Sequence, residues 1–432
     1  MNGQSLHDWV ARLYPIARSI TGPGVRDSLR LLQEIVPLEV RSVPSGSAVL
    51  DWTVPDEWHF REAWIENADG ERVVDAARCN LHVVNFSRPV ERTMTLAELR
   101  PRLHTLPDDP SAVPYRTCYY EDDWGFCLAH ETLGRLGAGP FRVRIDAERR
   151  AGRLDWGELV IPGESEAEIL VSTHVCHPSL ANDNLSGMVL GAALAASRLG
   201  RRNPHTWRFL FVPATIGAIS WLATNRAAMP DIRGGLVITG LGDDSPFTWK
   251  STRNGPRWID RVVARALSET FPEHHRHLPF GPYGYDERQY ASPGFDLPVG
   301  RLTRDVHGSF PEYHTDRDDL DFVEPRCLRE SLDLLEAVAS LIDRDVVYEN
   351  LAPFGEPQLG RRGLYGRLAS SGETEAESAR MAMLWLLNQS DGDTSLLAVA
   401  ERSGIDTRTL DVVARLLVEQ GLLRPVRRGD EP

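Results

Sequence analysis

The strongest constraint on the fold is an alternation of strand-like and helix-like segments that begins near residue 166. The buried-type strand "EAEILVSTH" is followed by the small-residue helix "GMVLGAALAASRLG", and the alternation continues to the long helix "CLRESLDLLEAVASLIDRDV". Strands that alternate with helices predict an α/β fold, in which helices sandwich a mixed, mostly parallel sheet. Ligands of such sheets bind at the carboxyl ends of the strands, so functional residues are expected there.

Two other regions have a different character. Residues 46–125 contain short apolar and aromatic runs separated by turns, which predict a small β-rich domain inserted into the α/β domain. The α/β domain is therefore expected to be discontinuous and to comprise residues 1–45 and 126–355. Residues 366–432 have the pattern of three helices and a short strand, which is typical of a winged helix-turn-helix domain.

Three tryptophans of the inserted β-rich domain, Trp52, Trp58 and Trp64, lie in its aromatic runs. We expect them to form the core of that domain, because tryptophan side chains are on average largely buried. The alternative is an exposed aromatic face that stacks against carbohydrate.

The charge of the chain argues against nucleic acid and membrane partners. The formal net charge is −14, whereas binding to nucleic acid or anionic lipid depends on Lys and Arg. Acidic residues also outnumber arginines in the predicted winged helix, whose recognition helix has only Arg408 and Arg415 as basic residues. We therefore expect this domain to mediate homo-oligomerisation or to cap the active site, and not to bind DNA.

The sequence predicts a cytoplasmic protein. No apolar run approaches the length of about 20 residues that crosses a bilayer. The N-terminus, "MNGQSLHDWVARLYPIARSITG", is an amphipathic helix pattern and lacks the basic start and apolar block of a signal peptide.

A candidate metal site lies directly after a buried strand, in "VSTHVCHPSLANDNLSG". His174, Cys176, His177 and Asp183 fall within ten residues. Imidazole nitrogens and a carboxylate oxygen suit zinc, and catalytic zinc usually has three protein ligands and a water. The alternative is that the histidines only form hydrogen bonds with the loop backbone. A nucleophilic Cys176 is disfavoured, because a thiolate between two histidines would more readily bind metal.

Two further loops carry polar residues next to predicted strands. "FPEYHTDRDDLDFV" contains Glu312, Tyr313 and His314, and "YGYDERQYASPGF" contains Asp286, Glu287 and Arg288. We expect both loops to reach the same edge of the sheet as the candidate metal site.

These segments together resemble a known family. "STHVCHPSLANDNLSG", "FVPATIGAISWL", "DERQYASPGFDLPVG" and "PEYHTDRDDLDF" are similar to the bacterial aminopeptidase-like family of polysaccharide-biosynthesis proteins. That family is itself similar to the zinc exopeptidase superfamily, which includes bacterial leucine aminopeptidases and glutaminyl cyclases. The resemblance covers most of the chain, including the nested β domain and the C-terminal winged helix. It implies the zinc exopeptidase fold and metal-dependent hydrolysis.

The resemblance assigns roles to individual residues. His174 matches the first metal-binding histidine of the superfamily, Asp183 matches the aspartate that bridges the metals in two-metal members, and His314 matches the late histidine ligand. His177 has no counterpart in the classical aminopeptidases, so it is either an additional ligand or a hydrogen-bonding partner of Asp183. The resulting prediction is one Zn²⁺ held by His174, His177, Asp183 and His314.

The sequence departs from the superfamily at two acidic positions. Ala214 and Thr215 stand where the superfamily has two glutamates, one of them the general base, and Thr239 and Gly240 stand near the position of another acidic ligand. Three explanations follow. The protein is a one-metal enzyme with Glu312 or Glu287 as the replacement base, or a scaffold that binds a ligand without hydrolysing it, or alanine at position 214 was introduced to trap a substrate.

The leading prediction is a zinc-dependent, aminopeptidase-like amide hydrolase that acts on a peptide or small amide in polysaccharide or natural-product metabolism. The alternatives are the ligand-binding scaffold and acyl transfer or cyclisation on the same fold. Predicted substrate contacts are an amine at Asp286, or at Glu287 if that residue is not the base, and a carboxylate or phosphate at several cations. These cations are Lys250, Arg253 and Arg288, and Tyr313 is a predicted aromatic contact. Ordinary ion pairs are the alternative for the charged residues.

Lys250 is the only lysine of the chain. One explanation is a codon bias that has replaced lysine by arginine elsewhere. The other is that this position requires a compact ammonium group or an adjustable pKa, which arginine does not offer.

Overall fold

The computed structural model describes residues 1–306, 308–364 and 373–426. The chain divides into two compact units, one of Met1–Leu267 with Phe271–Leu335 and the other of Ser268–Thr270 with Glu336–Pro432.

The larger unit begins with two helices, α1 (Gly3–Leu13) and α2 (Pro23–Leu32). Leu6, Val10 and Leu13 are buried at the four- and three-residue spacing that places side chains on one face of a helix. The Asn2 side chain accepts a 2.8 Å hydrogen bond from the Ser5 backbone N–H, which caps the first turn.

Short strands dominate the following segment, together with two short helices. These elements are β1 (Glu39–Pro44), β2 (Ala48–Val49), β3 (Trp52–Thr53), β4 (Glu57–Glu66), β5 (Arg72–Asp75), β6 (Val90–Met94), α3 (Leu96–Leu99), β7 (Leu103–His104), β8 (Phe126–Cys127), α4 (His130–Arg135) and β9 (Phe141–Arg150). Strands β2 to β9 form a four-stranded sheet in the order β5-β4-β9-β6 and the two-stranded pairs β2-β3 and β7-β8.

Strands and helices alternate in the rest of the larger unit. The elements are β10 (Arg153–Ile161), β11 (Ser165–His174), α5 (Gly187–Arg198), β12 (His205–Val212), α6 (Ile216–Asn225), β13 (Ile232–Ile238), β14 (Phe247–Lys250), α7 (Trp258–Thr270), β15 (His275–Leu278), α8 (Glu287–Tyr290), β16 (Val299–Thr303) and α9 (Pro325–Arg344). Strands β10 to β16, together with β1, form an eight-stranded sheet in the order β1-β10-β12-β11-β13-β16-β14-β15.

The centre of this sheet is parallel. β11 pairs in parallel with β12 and β13, and β13 pairs in parallel with β16, while β10 and β14 join antiparallel. The last seven residues of β11 are all buried. Because successive side chains of a strand point to opposite faces, the sheet is covered on both sides. The predicted α/β architecture is confirmed.

The three tryptophans of the β-rich segment do not share one environment. Trp58 and Trp64 are buried, as predicted, but Trp52 is 48% exposed. The prediction for Trp52 is wrong because it belongs to a ribbon of two strands with two residues each. Such a ribbon is too short to bury both of its faces.

The smaller unit contains a winged helix. Its elements are β17 (Val347–Asn350), α10 (Glu373–Gln389), β18 (Asp391–Ser395), α11 (Leu396–Ser403), α12 (Thr407–Glu419) and β19 (Leu423–Val426). β17 pairs antiparallel with β18 and with β19. Of the predicted domain of residues 366–432, residues 366–372 and 427–432 lie outside the described residues, and the domain boundaries stay predictions.

The described helices include none that is both long and apolar enough to span a lipid bilayer.

Candidate metal centre

The candidate ligands are positioned by the carboxyl ends of the central strands. His174 is the last residue of β11, and His177 follows in the loop after it. Asp183 lies in the irregular turn Ala181–Ser186, which leads into α5. His314 is contributed by the loop between β16 and α9. The topology of the sheet thus brings together side chains that are 131 residues apart in sequence, Asp183 and His314.

Three of these side chains converge on one point. His174 Nε2 lies 2.9 Å from His177 Nδ1 and 3.0 Å from Asp183 Oδ1. His177 Nδ1 and Asp183 Oδ1 are 3.8 Å apart. Among the described residues, these three form the group of His, Cys, Asp and Glu side chains whose ligand atoms are close enough to hold a metal ion together.

The donor set of this cluster suits zinc, and its ligand separations bracket those of a tetrahedral site. Ligand atoms at about 2.0–2.2 Å from a tetrahedral zinc ion are about 3.3–3.6 Å from one another, and the three separations lie on either side of this range. Asp183 Oδ1 is buried and accepts no hydrogen bond from any described residue. A buried carboxylate oxygen without such a partner is costly unless a cation compensates it. The donor set of two imidazoles and one carboxylate leaves a fourth position for water or substrate.

His314 is on the other side of the Asp183 carboxylate. Its Nε2 lies 3.1 Å from Asp183 Oδ2, so Asp183 contacts His174 through one oxygen and His314 through the other. The Tyr115 ring packs edge-on against His177 and against His314, each at 5.2 Å between centroids. Tyr313, a predicted substrate contact, stacks on His314 at 4.0 Å.

Burial and charge set the protonation states of the cluster. Burial lowers the pKa of His177 well below its ordinary value, which favours the neutral imidazole at neutral pH. Burial by itself would raise the pKa of Asp183, but the neighbouring imidazoles of His177, His174 and His314 outweigh it and hold this pKa well below its usual range. A neutral imidazole and an ionised carboxylate are the states that bind a metal.

Buried polar groups hold the turn that carries Asp183. Asp318 accepts the backbone N–H groups of Asn182 at 2.5 Å and of Asp183 at 2.9 Å. The Asn182 side chain donates to Asp243 Oδ2 at 2.6 Å. Arg18 is fully buried and donates to the backbone carbonyl of His177 at 3.0 Å. No role was predicted for Asp318, Arg18 or Tyr115. These residues lie far along the chain from the turn, so no short sequence pattern connects them with it.

Gly187 is required where the turn enters α5. A Cβ at Gly187 would lie 2.3 Å from Asn184 Oδ1, 2.7 Å from Thr173 Oγ1 and 2.8 Å from the Ile238 carbonyl. We expect Gly187→Ala to displace Asn184 and the adjacent Asp183 and to lower zinc affinity about 10- to 100-fold, as measured by titration against a competing chelator.

Gly191→Ala is the matched control for this substitution. A Cβ at Gly191 would make ordinary contact with Phe211, at 3.4 Å, and alanine is the better helix former. This variant should bind zinc like the wild type. Equal zinc affinity of both alanine variants would show that the position of Asn184 does not control the cluster.

The loop before α8 places a tyrosine and one acid next to the cluster, and α8 begins with a second buried acid. The Tyr285 ring stacks on His174 at 5.3 Å between centroids. Asp286 is fully buried and burial raises its pKa to about 7. Glu287, also fully buried, forms an ion pair of 2.8 Å with Lys250, whose ammonium also donates to the Tyr283 carbonyl at 2.8 Å. Glu287, a predicted general base, is therefore paired with Lys250, a predicted substrate contact.

The remaining predicted residues have different surroundings. Arg253 is partly exposed and pairs with Asp296 at 2.9 Å, which is the ordinary ion pair considered as its alternative. Arg288 lies in α8 and is partly buried. Glu312 is half-buried two residues before His314. No hydrogen bond or ion pair of its carboxylate involves another residue in the described parts of the chain.

The two departures from the superfamily pattern also lie at strand ends. Ala214 and Thr215 follow β12, and Thr239 and Gly240 follow β13. Neither strand end therefore offers a carboxylate at these positions. His177 contributes the third potential ligand atom of the cluster.

The mixed sheet and the His–Asp cluster at the carboxyl ends of its parallel strands define an α/β protein with the zinc exopeptidase fold, as predicted. Residues 7–345 match the family described as a domain of unknown function, DUF4910, and residues 346–425 match a winged helix-turn-helix family. The chain therefore belongs to the DUF4910 family and has a C-terminal winged helix, as predicted.

The comparisons with individual proteins agree with this assignment. A Clostridium acetobutylicum protein is 41% identical over 424 residues, which are 98% of this chain and 97% of that protein. Its name, given provisionally, is polysaccharide biosynthesis protein with aminopeptidase-like domain. The predicted resemblance to that family is thus confirmed.

Solved structures show the same fold. A crystal structure from C. acetobutylicum, provisionally described as a peptidase, has a TM-score of 0.92 at 40% identity and covers 98% of this chain and 96% of that one. BSAP, a zinc aminopeptidase from Bacillus subtilis, has a TM-score of 0.56 at 11% identity and covers 78% and 94% of the two chains. The second likeness concerns the fold alone.

Proposed function

We propose that this protein is a zinc-dependent, aminopeptidase-like hydrolase of amide bonds in a peptide or small amide. The observation that carries the proposal is the convergence of His174 Nε2, His177 Nδ1 and Asp183 Oδ1 within 3.8 Å of one another. The aminopeptidase-like fold and the name of the Clostridium relative support the same class of reaction.

His174, His177 and Asp183 would hold one zinc ion, and His314 would contact the second oxygen of Asp183. Bound zinc supplies a Lewis acid that polarises the amide carbonyl and makes the attacking water more acidic. His314 donates to Asp183 Oδ2 and keeps Oδ1 directed at the histidine pair. This role makes His314 an orienting residue for the carboxylate.

Glu312 is the proposed general base. Its carboxylate is not engaged in the described structure, and its loop also delivers His314. In this role Glu312 takes a proton from the attacking water and passes it to the leaving amine. Glu287 is the weaker candidate, because its carboxylate is paired with Lys250 in the protein interior. Asp286 and Tyr313 remain proposed substrate contacts.

The second candidate function is ligand binding without hydrolysis. The observation that favours it is the presence of Ala214 and Thr215 at the end of β12, where the superfamily has its general base and a ligand. In that case zinc and a substrate-like ligand bind, but the amide bond stays intact.

Zinc analysis combined with an amidase assay separates the two functions. We expect one zinc per chain and hydrolysis of aminoacyl amides that is lost with a chelator and restored by zinc. His314→Ala should still bind one zinc, with an affinity about 10- to 100-fold lower, because His314 only orients Asp183. One zinc per chain without turnover of any aminoacyl amide would favour the scaffold. Protein without zinc after incubation with the metal would contradict the hydrolase, and metal-free protein that still binds a ligand would favour the scaffold.

A role in polysaccharide biosynthesis follows the name of the Clostridium relative and is part of the proposal, whereas a role in natural-product metabolism stays a prediction from the sequence. The cytoplasmic location, the homo-oligomeric state and the absence of nucleic acid binding stay predictions from the sequence.

A further inference from the structure

We propose that two copies of this chain associate about a two-fold axis through a surface of the smaller unit, with Phe354 of each copy inserted into a groove of the other. The proposal concerns the winged-helix end of the chain and does not rest on the proposed function. It goes beyond the predicted homo-oligomer, because it assigns the surface and the residues that form it.

The groove lies between α10 and the segment that follows β17, and its volume is about 600 Å³. From α10, the side chains of Met381, Leu384 and Trp385 line it. These residues are three and four positions apart, and this spacing places them on one side of the helix. The opposite wall includes Pro353 and Pro357. Both walls therefore present apolar side chains to whatever enters the groove.

Phe354 projects from the rim of this groove. It lies between Pro353 and Gly355, which both line the groove, but its own side chain is fully exposed. Among the described residues with large hydrophobic side chains, it is the most exposed. Burial of a phenylalanine side chain contributes about 1.5–3 kcal/mol, and the fold of a single copy does not use this contribution at Phe354. The ring is therefore available to a partner.

A projecting ring and a groove that adjoin on one surface favour a two-fold contact. In such a contact the same surface serves both copies, so each copy supplies the ring and the groove together. A cavity of about 150 Å³ holds a benzene ring, so the larger groove has room for the phenyl ring and for the residues beside it. Trp385 at the groove is partly buried, and tryptophan is among the residues that contribute most to the affinity of interfaces.

The charges of the same surface are complementary to those of a second copy. Glu356 lines the groove and is exposed. Arg380 is exposed on α10, four and seven residues before Leu384 and Leu387 of the lining, and so lies on the same side of the helix. Within the described parts of the chain, neither Glu356 nor Arg380 forms an ion pair, and neither has a shifted pKa that would indicate one. A two-fold axis can bring the acid of each copy to the base of the other.

These observations select a second copy as the occupant of the groove. A peptide from an unrelated protein would place its own side chain in the groove and would leave the Phe354 ring in water. Two-fold association fills both grooves and covers both rings in one step. It also pairs the charged residues of the surface without a second type of partner.

Sedimentation velocity of the full chain at micromolar concentration measures the association. We expect a dimer for the wild type. Phe354→Ser should raise the dissociation constant of the dimer at least about 100-fold, because the two-fold symmetry removes both rings at once. The substitution leaves the core of the unit intact, since Phe354 is fully exposed. Val412→Ser is the matched control, because Val412 is an exposed apolar residue of α12 that does not line the groove. It should leave the dimer unchanged.

Two charge-reversed variants test the two-fold arrangement. Glu356→Arg and Arg380→Glu should each be monomeric alone, because like charges then face each other across the axis. An equimolar mixture of the two variants should form dimers again, since each acid of one variant meets a base of the other. Recovery in the mixture would also show that neither variant is misfolded.

Four results would overturn the proposal. These are a monomeric wild type, a wild-type oligomer that Phe354→Ser leaves intact, an equal loss of association in Val412→Ser, and a mixture of the charge-reversed variants that stays monomeric. Each of these results would leave the proposed zinc binding and amide hydrolysis untouched, because the proposal involves the smaller unit alone.

Discussion

Replacing Asp183 by asparagine is expected to abolish the proposed zinc binding and to lower the proposed amide hydrolysis by more than about 1,000-fold, because the proposed reaction depends on the metal. Asp183 is the one carboxylate in the cluster, and its Oδ1 lies 3.0 Å from His174 Nε2 and 3.8 Å from His177 Nδ1. Asparagine has nearly the same shape but no charge. Metal content by mass spectrometry and initial rates with an aminoacyl amide measure both effects.

The control for this substitution is Asp321→Asn, which makes the same chemical change on an exposed residue of the loop before α9. It should keep full zinc content and activity. Asp183 is buried, so its variant also needs a check of folding by circular dichroism. A folded Asp183→Asn protein that retains stoichiometric zinc would remove the basis of the proposed metal centre.

Lys250→Met is expected to lower the free energy of unfolding by about 3–5 kcal/mol. The ammonium group is 2.8 Å from the Glu287 carboxylate, and the two side chains are 5% and 0% exposed. Methionine fills similar space but leaves the Glu287 charge buried, with Arg301 as a more distant cation at 3.8 Å. Removal of one partner of a buried ion pair is costly because the other charge then lacks compensation. Urea denaturation measures the change.

Two further variants show whether burial of the charge is the cause. The double variant Lys250→Met with Glu287→Gln should recover part of the lost stability, because the carboxylate charge that Lys250→Met leaves behind is removed as well. Arg253→Met removes a cation from the partly exposed pair with Asp296, whose side chains are 30% and 36% exposed. It should cost less than about 1 kcal/mol. Similar losses for Lys250→Met and Arg253→Met would contradict the argument from burial.

The Lys250 ion pair also bears on the two explanations for the only lysine of the chain. The ammonium donates to the Glu287 carboxylate and to the Tyr283 carbonyl within a buried space. A compact point charge suits this space, whereas the planar guanidinium of arginine is larger. The structure therefore favours a specific requirement for lysine at this position over codon bias alone.

Prediction from the sequence was most successful where the signal is local. The buried strand that ends at His174, the following helix and the long α9 were predicted from apolar runs and helical periodicity, and the structure contains them. These patterns depend on a few neighbouring residues, which is why they identify an element without knowledge of its partners. His174, His177 and Asp183 were predicted as ligands for the same reason, since all three lie within one strand–turn segment, and the structure brings their ligand atoms together.

Prediction was weaker where packing decides the environment. Trp52 was expected in a core with Trp58 and Trp64, yet it is half-exposed. Residue type alone does not distinguish these tryptophans, because all three occur in similar aromatic runs. Their burial depends on the length of each strand and on the layer that covers it.

The sequence by itself determined the order of strands and helices and the type of chemistry available after β11, because hydrophobic periodicity and close spacing are properties of neighbouring residues. Only the tertiary structure decided that His314 meets the second oxygen of Asp183 and that Glu287 is paired with Lys250. It likewise decided that Tyr115 packs against both His177 and His314. These contacts join segments far apart in the chain, and the register of the sheet and the packing of its loops determine which side chains meet.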